Sequence, residues 1–298
     1  MLKQVQHDEF GFRGCSNKVS RLLDTLPRTP KGFMFDLDGT LILSNRKLGS
    51  YQVIPGAVEV LTELERRGMP YLALTNGSAY PAAKQGPRLR EVGLPIVDGH
   101  LFTPNSVAGQ VFAERGYRNV LVLGTPGVVE ALEGHGISCS LPGDEDAKTA
   151  DAIYVAWHPE CTMEHIHVAA GRVLDGAAFY TASDVPFFAT SDGPAFGYSC
   201  AINGAIQRVT GVEPQVTGKP SQLAMAFVAA KLGLDAEDIA VIGDDPRVEI
   251  EMAVAGGALG VGVTSGTTSR EQWAAQDPER KPDLVIGNVG ELLELWLR

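Results

Sequence analysis

The sequence predicts an α/β protein of parallel sheets covered by helices, organised as two units. Three observations carry this. Apolar runs of strand length alternate with amphipathic runs of helix length along most of the 298 residues. About ten such strands are generous for one sheet. Three of the strands end on polar residues, and in an open parallel sheet ligands bind outside the carboxyl ends of the strands.

Residues 1–29 form a lead-in with one short helical stretch, "NKVSRLLDTL", which Pro27 and Pro30 would end. "GFMFDLD" reads as the first strand. "PGAVEVLTELERRG" is a helix with Pro55 near its start, Val58, Leu61 and Leu64 on one face and Gly68 at its end. "PYLALTNGS" is the next strand, and "AKQGPRLREVGL" a broken helical stretch. The alternation continues through strands "NVLVLG", "DAIYVAW" and "AAFYTAS", with helices "PGVVEALEGHG" and "TMEHIHVAAGRVLDG" between them. Helices "SCAINGAIQRVTG" and "SQLAMAFVAAKLG" follow, then strand "DIAVIGDD" and the strand and loop "ALGVGVTSG". The acidic stretch "PGDEDAKTAD" reads as a solvated loop.

Composition narrows the function classes. A formal charge of −11 argues against a broad nucleic-acid or anionic-membrane surface, though a small anionic ligand held by local groups fits it. The N-terminus lacks the apolar segment of a signal peptide, and no run approaches the roughly 18 apolar residues of a membrane span. Cys15, Cys139, Cys161 and Cys200 form no C-x-x-C pair, which suits reduced thiols better than a disulfide framework or a zinc site, so the expected location is the cytoplasm.

The polar strand ends carry the chemistry. "FMF" runs into Asp36, "YLAL" into Thr75 and Asn76, and "IAVIG" into Asp244 and Asp245. Asp36 and Asp38 lie two residues apart, on the same side of near-extended backbone. Two neighbouring carboxylates repel each other and an anionic substrate unless a hard divalent cation joins them, and Asp244 offers a further ligand. Thr75 and Lys219 of "TGKPS" are then donors to a phosphoryl group, with backbone N–H groups after Thr75 helping. Asp36 is the candidate nucleophile, and Asp38 the acid and base that protonates the leaving alcohol and activates water.

Other readings weigh less. "GKPS" is not a Walker A lysine, because Glu213 stands where a glycine is required, and "GALGVGVTSG" lacks the third glycine of a dinucleotide loop. Asp245 reads as an exposed carboxylate beside Asp244. His158, His165 and His167 invite a zinc site, but the i, i+2 pair on the helix points to different faces. Trp157, Phe187, Phe188, Phe196 and Tyr198 read either as core or as a surface that stacks on a ring.

In this order, D36-L-D38-G-T40, T75-N76, Lys219 and G243-D244-D245 resemble the four motifs of the haloacid dehalogenase superfamily of phosphohydrolases. "IPGAVEVL", "TNGS", "GAAFYTASD" and "GVEPQVTGKPS" are similar to its type IIA, p-nitrophenylphosphatase-like branch, and the likeness runs from about residue 30 to the C-terminus. The resemblance implies a Rossmann-like core at 30–104 and 199–298 with an inserted α/β cap of C2 type at 105–198. It also implies Mg²⁺ on the Asp36 carboxylate, the Asp38 main-chain carbonyl and Asp244, with Thr75, Asn76 and Lys219 on the substrate. Glu249 stands where the branch usually carries Asp, and Thr181–Val185 and "GYSC" depart from its cap patterns.

The expectation is a Mg²⁺-dependent phosphatase acting on a small phosphorylated metabolite through an aspartyl phosphate. A phosphotransferase of the same superfamily and a catalytically weak phospho-ligand-binding protein are the alternatives. A dehalogenase is disfavoured, because it has no leaving alcohol for Asp38 to protonate. Capped relatives often self-associate through the cap, which leaves a homo-oligomer open.

Overall fold

The computed structural model describes residues 28–44, 51–188 and 195–297. The helical stretch read in the lead-in, and Cys15 with it, lies outside the described residues. Along the chain, β1 (Gly32–Phe35) leads to a hairpin of β2 (Ile42–Ser44) and β3 (Tyr51–Val53), then α1 (Ala57–Arg67), β4 (Tyr71–Leu74), α2 (Ala82–Glu91) and β5 (Leu101–Phe102). Next come α3 (Pro104–Glu114), β6 (Asn119–Leu123), α4 (Pro126–Glu133), β7 (Ser138–Ser140), β8 (Ala152–Val155), α5 (Met163–Leu174) and β9 (Ala178–Thr181). The hairpin of β10 (Phe187–Phe188) and β11 (Ala195–Phe196) precedes α6 (Tyr198–Thr210), β12 (Gln215–Val216) and α7 (Gln222–Leu232). Last are β13 (Ile239–Gly243), α8 (Glu251–Gly256), β14 (Leu259–Val263), α9 (Arg270–Ala274), β15 (Leu284–Ile286) and α10 (Leu292–Leu295).

Two parallel sheets organise these elements. The first runs β15-β14-β13-β1-β4-β5, with helices on both faces. One face packs against Val60, Leu61 and Leu64 of α1 and Leu292 of α10. The i, i+1, i+4 spacing of the α1 residues forms a single apolar stripe, and Gly68 ends that helix in the left-handed region (φ 63°). The opposite face packs against Ala224, Met225 and Val228 of α7 and Met252 of α8. β1, β4 and β13 are buried along their whole length, so they read as continuous apolar runs rather than as alternation.

The second sheet runs β12-β9-β8-β6-β7 and is also parallel throughout. Ala169 and Val173 of α5 and Ile202 and Ile206 of α6 cover one face. Phe112 of α3 and Val128 and Leu132 of α4 cover the other. α3 serves both sheets, since its Val107 packs in the core of the first while Ala108 and Phe112 pack in the second. Pro104 at its first turn and the Ser106 hydroxyl accepting from the Thr103 N–H (3.3 Å) set its start.

Sheet membership differs from the sequence partition in one respect. Residues 199–216, read as part of the core, place α6 and β12 with the second sheet. We propose that the inserted unit is the segment these contacts define, from α3 to β12, rather than 105–198. Fifteen strands are present among the described residues where about ten were expected, because several have only two or three residues and give no sequence signal.

Candidate active site

β1 lies between β13 and β4, so the three polar strand ends are neighbours at one edge. Asp36 leaves β1 with its N–H donated to Ile242 O of β13 (2.8 Å), and Thr75 leaves β4 with its N–H on Phe102 O (3.2 Å). Asp36, Asp38, Thr75, Asn76 and Asp244 all line a single cavity. Gly39 follows Asp38 at φ 88°, and a Cβ there would overlap the Asp244 carboxylate, so the loop can approach that group only with glycine.

Lys219 is 1% exposed, an unusual place for an ammonium. It forms an ion pair with Asp36 Oδ1 and a second with Glu249 Oε1 at 2.8 Å. Burial would lower its pKa, but the charges of Asp36 and Glu249 outweigh burial and leave it raised. Its main chain is clamped by the Asn76 side chain, which accepts from the Lys219 N–H (2.8 Å) and donates to the Lys219 carbonyl (2.9 Å). Those bonds make Asn76 a positioning residue for the lysine. The two preceding residues are held by the second sheet instead: the Thr217 N–H donates to Thr181 O (2.8 Å) and the Gly218 N–H to Ala182 O (3.0 Å).

Glu249 reaches Lys219 because Pro246–Ile250 form a π-helical turn that points its side chain back over the end of β13. Gly243 leaves the room for it, since a Cβ at that position would overlap the Glu249 side chain. Asp244 is held differently, accepting at Oδ2 from the Thr267 N–H (2.7 Å) and the Thr267 hydroxyl (3.0 Å).

Four carboxylates therefore share these strand ends with one ammonium, which pairs with two of them. Burial pushes Asp38 up to about 6 against a hydrogen bond from Ser44, with Asp36 adding to the rise. Burial, then the charge of Asp36, raises Asp244 to about 7 against its bonds from Thr267. Burial likewise raises Glu249 against the pull of Lys219. Asp38 Oδ1 is shut from solvent with no hydrogen-bond partner among the described residues. An orphaned buried carboxylate oxygen beside Asp36 and Asp244 is a donor set that fits a hard divalent cation with oxygen ligands.

The opposite wall of the cavity is apolar and aromatic, with Trp157, Val185, Phe187 and Tyr198. The Trp157 N–H donates to Ser78 Oγ (3.0 Å), and its ring meets Tyr198 edge-on with centroids 4.8 Å apart. Phe187 and Phe196 are 58% and 50% exposed, so these two belong to the surface rather than to the core. The side chain of Phe188 lies outside the described residues.

A haloacid dehalogenase-like hydrolase model matches residues 33–138 and a second, HAD-hydrolase-like model matches residues 216–292, which between them hold all four motifs. The chain belongs to the haloacid dehalogenase-like hydrolases. It is 28% identical over 269 residues to the 5'-nucleotidase YutF of Bacillus subtilis, covering 89% of this chain and 98% of that protein. The sugar-phosphatase AraL of Bacillus subtilis is 27% identical over 274 residues, with 90% and 94% covered. A solved structure of a p-nitrophenyl phosphatase from Archaeoglobus fulgidus superposes with a TM-score of 0.78 at 28% identity, covering 90% of this chain and 99% of that one. These relatives are of the p-nitrophenylphosphatase-like branch that the sequence resembles.

Within this haloacid dehalogenase-like site, Asp245 departs from its sequence reading. It is half-buried and accepts at Oδ1 from the Arg247 N–H (2.8 Å), so it caps the π-helical turn and is not a plain exposed charge. Thr267 was missed. Its only sequence signal is a run of hydroxyls, "TSGTTS", after a strand that neighbours the Asp244 strand. The sequence marks Glu249 only as a departure from the branch's pattern, because its ion pair depends on the π-helical turn.

Proposed function

We propose that this chain is a Mg²⁺-dependent phosphatase that hydrolyses a small phosphomonoester through an aspartyl phosphate on Asp36. The observation that carries the reading is the Asp36 carboxylate, ion-paired to buried Lys219 and facing a cavity shared with Asp38, Thr75 and Asp244. The Asp36 and Asp244 carboxylates and the Asp38 main-chain carbonyl would hold the ion, which would supply charge neutralisation on the phosphoryl oxygens. Lys219 pairs with the Asp36 carboxylate and holds it in place. The Asp36 oxygen attacks phosphorus, the ester P–O bond breaks, and Asp38 gives its proton to the departing alcohol. Asp38 then takes a proton from water, whose oxygen attacks phosphorus and breaks the bond to Asp36, releasing phosphate. Thr75 and Lys219 donate to the transferring oxygens.

The aromatic wall supports leaving groups that offer a flat or apolar face, and the relatives' names place nucleotides and sugar phosphates among the esters to test first. The test is phosphate release from a panel of phosphomonoesters, with Mg²⁺ or EDTA, using wild type and Asp36→Asn. Turnover that needs Mg²⁺ and is lost in Asp36→Asn is expected. Absence of turnover on every ester by folded, Mg²⁺-loaded wild type overturns the reading, as does turnover that survives in Asp36→Asn.

A further inference from the structure

A second cluster of ligating side chains stands apart from the oxygen-lined cavity, in the loop between β8 and α5. His158 follows Trp157, Cys161 closes the loop, and His165 lies in the first turn of α5. The loop folds back so that one ligand atom from each of His158, Cys161 and His165 lies within 4.8 Å of the other two. His158 Nε2 and His165 Nδ1 are 3.0 Å apart, with the two rings stacked at 9°. Nitrogens bound at zinc's usual length to one tetrahedral ion stand about 3.3–3.4 Å from each other, so the pair is already close to a shared-ligand spacing.

We propose that His158, Cys161 and His165 form a second metal site, taking a zinc-class divalent ion through two imidazole nitrogens and one thiolate. The donor set decides the ion: thiolate and imidazole suit zinc or cobalt and are poor ligands for Mg²⁺. All three residues are half-buried, so an ion can enter from solvent, and a fourth position stays open to water. Beyond the contact between the two rings, the bonds of these atoms to other described residues are long. The Cys161 thiol points to Thr162 O at 3.7 Å, and the Thr162 N–H lies 3.4 Å from His165 Nδ1. Binding exchanges these for metal bonds: the imidazoles donate lone pairs, the S–H bond breaks as the metal–sulfur bond forms, and one proton leaves to solvent per ion.

A hydrogen bond between the two rings would explain their 3.0 Å approach without a metal, but it gives the sulfur no part. The sulfur supplies the test. Reduced, metal-stripped protein is titrated with Co²⁺ and followed by absorption, then with Zn²⁺ in competition. One equivalent of Co²⁺ should give tetrahedral visible bands and a near-ultraviolet thiolate-to-cobalt band, which Zn²⁺ removes and excess Mg²⁺ does not. The oxygen-lined cavity cannot give the thiolate band, so this result is independent of the phosphatase reading. Cys161→Ser should lose that band, and His165→Gln should weaken Co²⁺ binding at least tenfold, with unchanged circular dichroism in both. Zn²⁺ should also slow alkylation of Cys161, read by peptide mass spectrometry. Absence of a thiolate band, its persistence in Cys161→Ser, or alkylation of Cys161 unaffected by Zn²⁺ overturns the proposal.

Discussion

Replacing Lys219 by Met tests the electrostatics on which the candidate site rests. The ammonium is 1% exposed and pairs with Asp36 and Glu249, so its removal leaves two buried carboxylates facing each other with Asp244 nearby. Removing one partner of a buried pair costs about 3–5 kcal/mol, because the other charge stays buried without compensation. For a domain of roughly this size each kcal/mol moves the melting temperature about 2–4 °C, which gives a fall of about 6–20 °C. Differential scanning calorimetry in EDTA at pH 7.5 would read it without help from a metal. The companion variant is Glu249→Gln, which alone should cost less because Lys219 keeps Asp36. Once Lys219 is Met, Glu249→Gln removes one of the stranded charges and should recover stability, so the double variant should melt above Lys219→Met alone. Neither the single nor the double Lys219 variant should turn over substrate. A Lys219→Met protein that melts within 2 °C of wild type, or a double variant less stable than Lys219→Met, would refute the ion-pair account.

Two further predictions follow from the carboxylates around the lysine. The raised values of Asp38 (about 6) and Asp244 (about 7) mean that the metal-free native state binds more protons than the unfolded chain between about pH 4 and pH 7. These two groups therefore make metal-free protein lose stability as pH rises through that window. Melting curves should show Mg²⁺ stabilising more at pH 7.5 than at pH 5, and an equal effect at both would contradict the assignment. Thr267→Val removes the hydroxyl bond to Asp244 Oδ2 (3.0 Å) and leaves the backbone bond, so Mg²⁺ affinity by isothermal titration should weaken about 5- to 30-fold, as loss of one hydrogen bond of about 1–2 kcal/mol implies.

The parts of the site that were legible in the sequence are those in which residue type and strand position suffice. Asp36, Thr75 and Asp244 each end an apolar run, and the adjacency of β4, β1 and β13 is what brings them together. Elements that depend on packing were not legible. α3 is buried on two sides, Val107 toward one sheet and Phe112 toward the other, so it shows no single apolar stripe. The allegiance of α6 and β12 is fixed by which sheet they touch, and their own sequences carry no trace of it. Glu249 faces Lys219 only because five residues wind as a π-turn rather than an α-turn. The sequence sets His165 beside His167 on the helix, but the side chain that meets His165 is His158 from the loop, where spacing alone does not set direction.

The three residues Thr217, Gly218 and Lys219 are fastened to different places, the first two to Thr181 at the end of β9 and Ala182 just after it, and the third to Asn76 just after β4. There is almost no slack between the two attachments. A tilt of the second sheet away from the first must either release Thr217 and Gly218 or draw the lysine main chain against its amide clamp. Lys219 is thus a tether whose free end pairs with Asp36, so in the proposed phosphatase an alcohol seated against Trp157 and Tyr198 would bear on the group that fixes the nucleophile. Discrimination between substrates would then be registered at Asp36 as well as in the strength of binding.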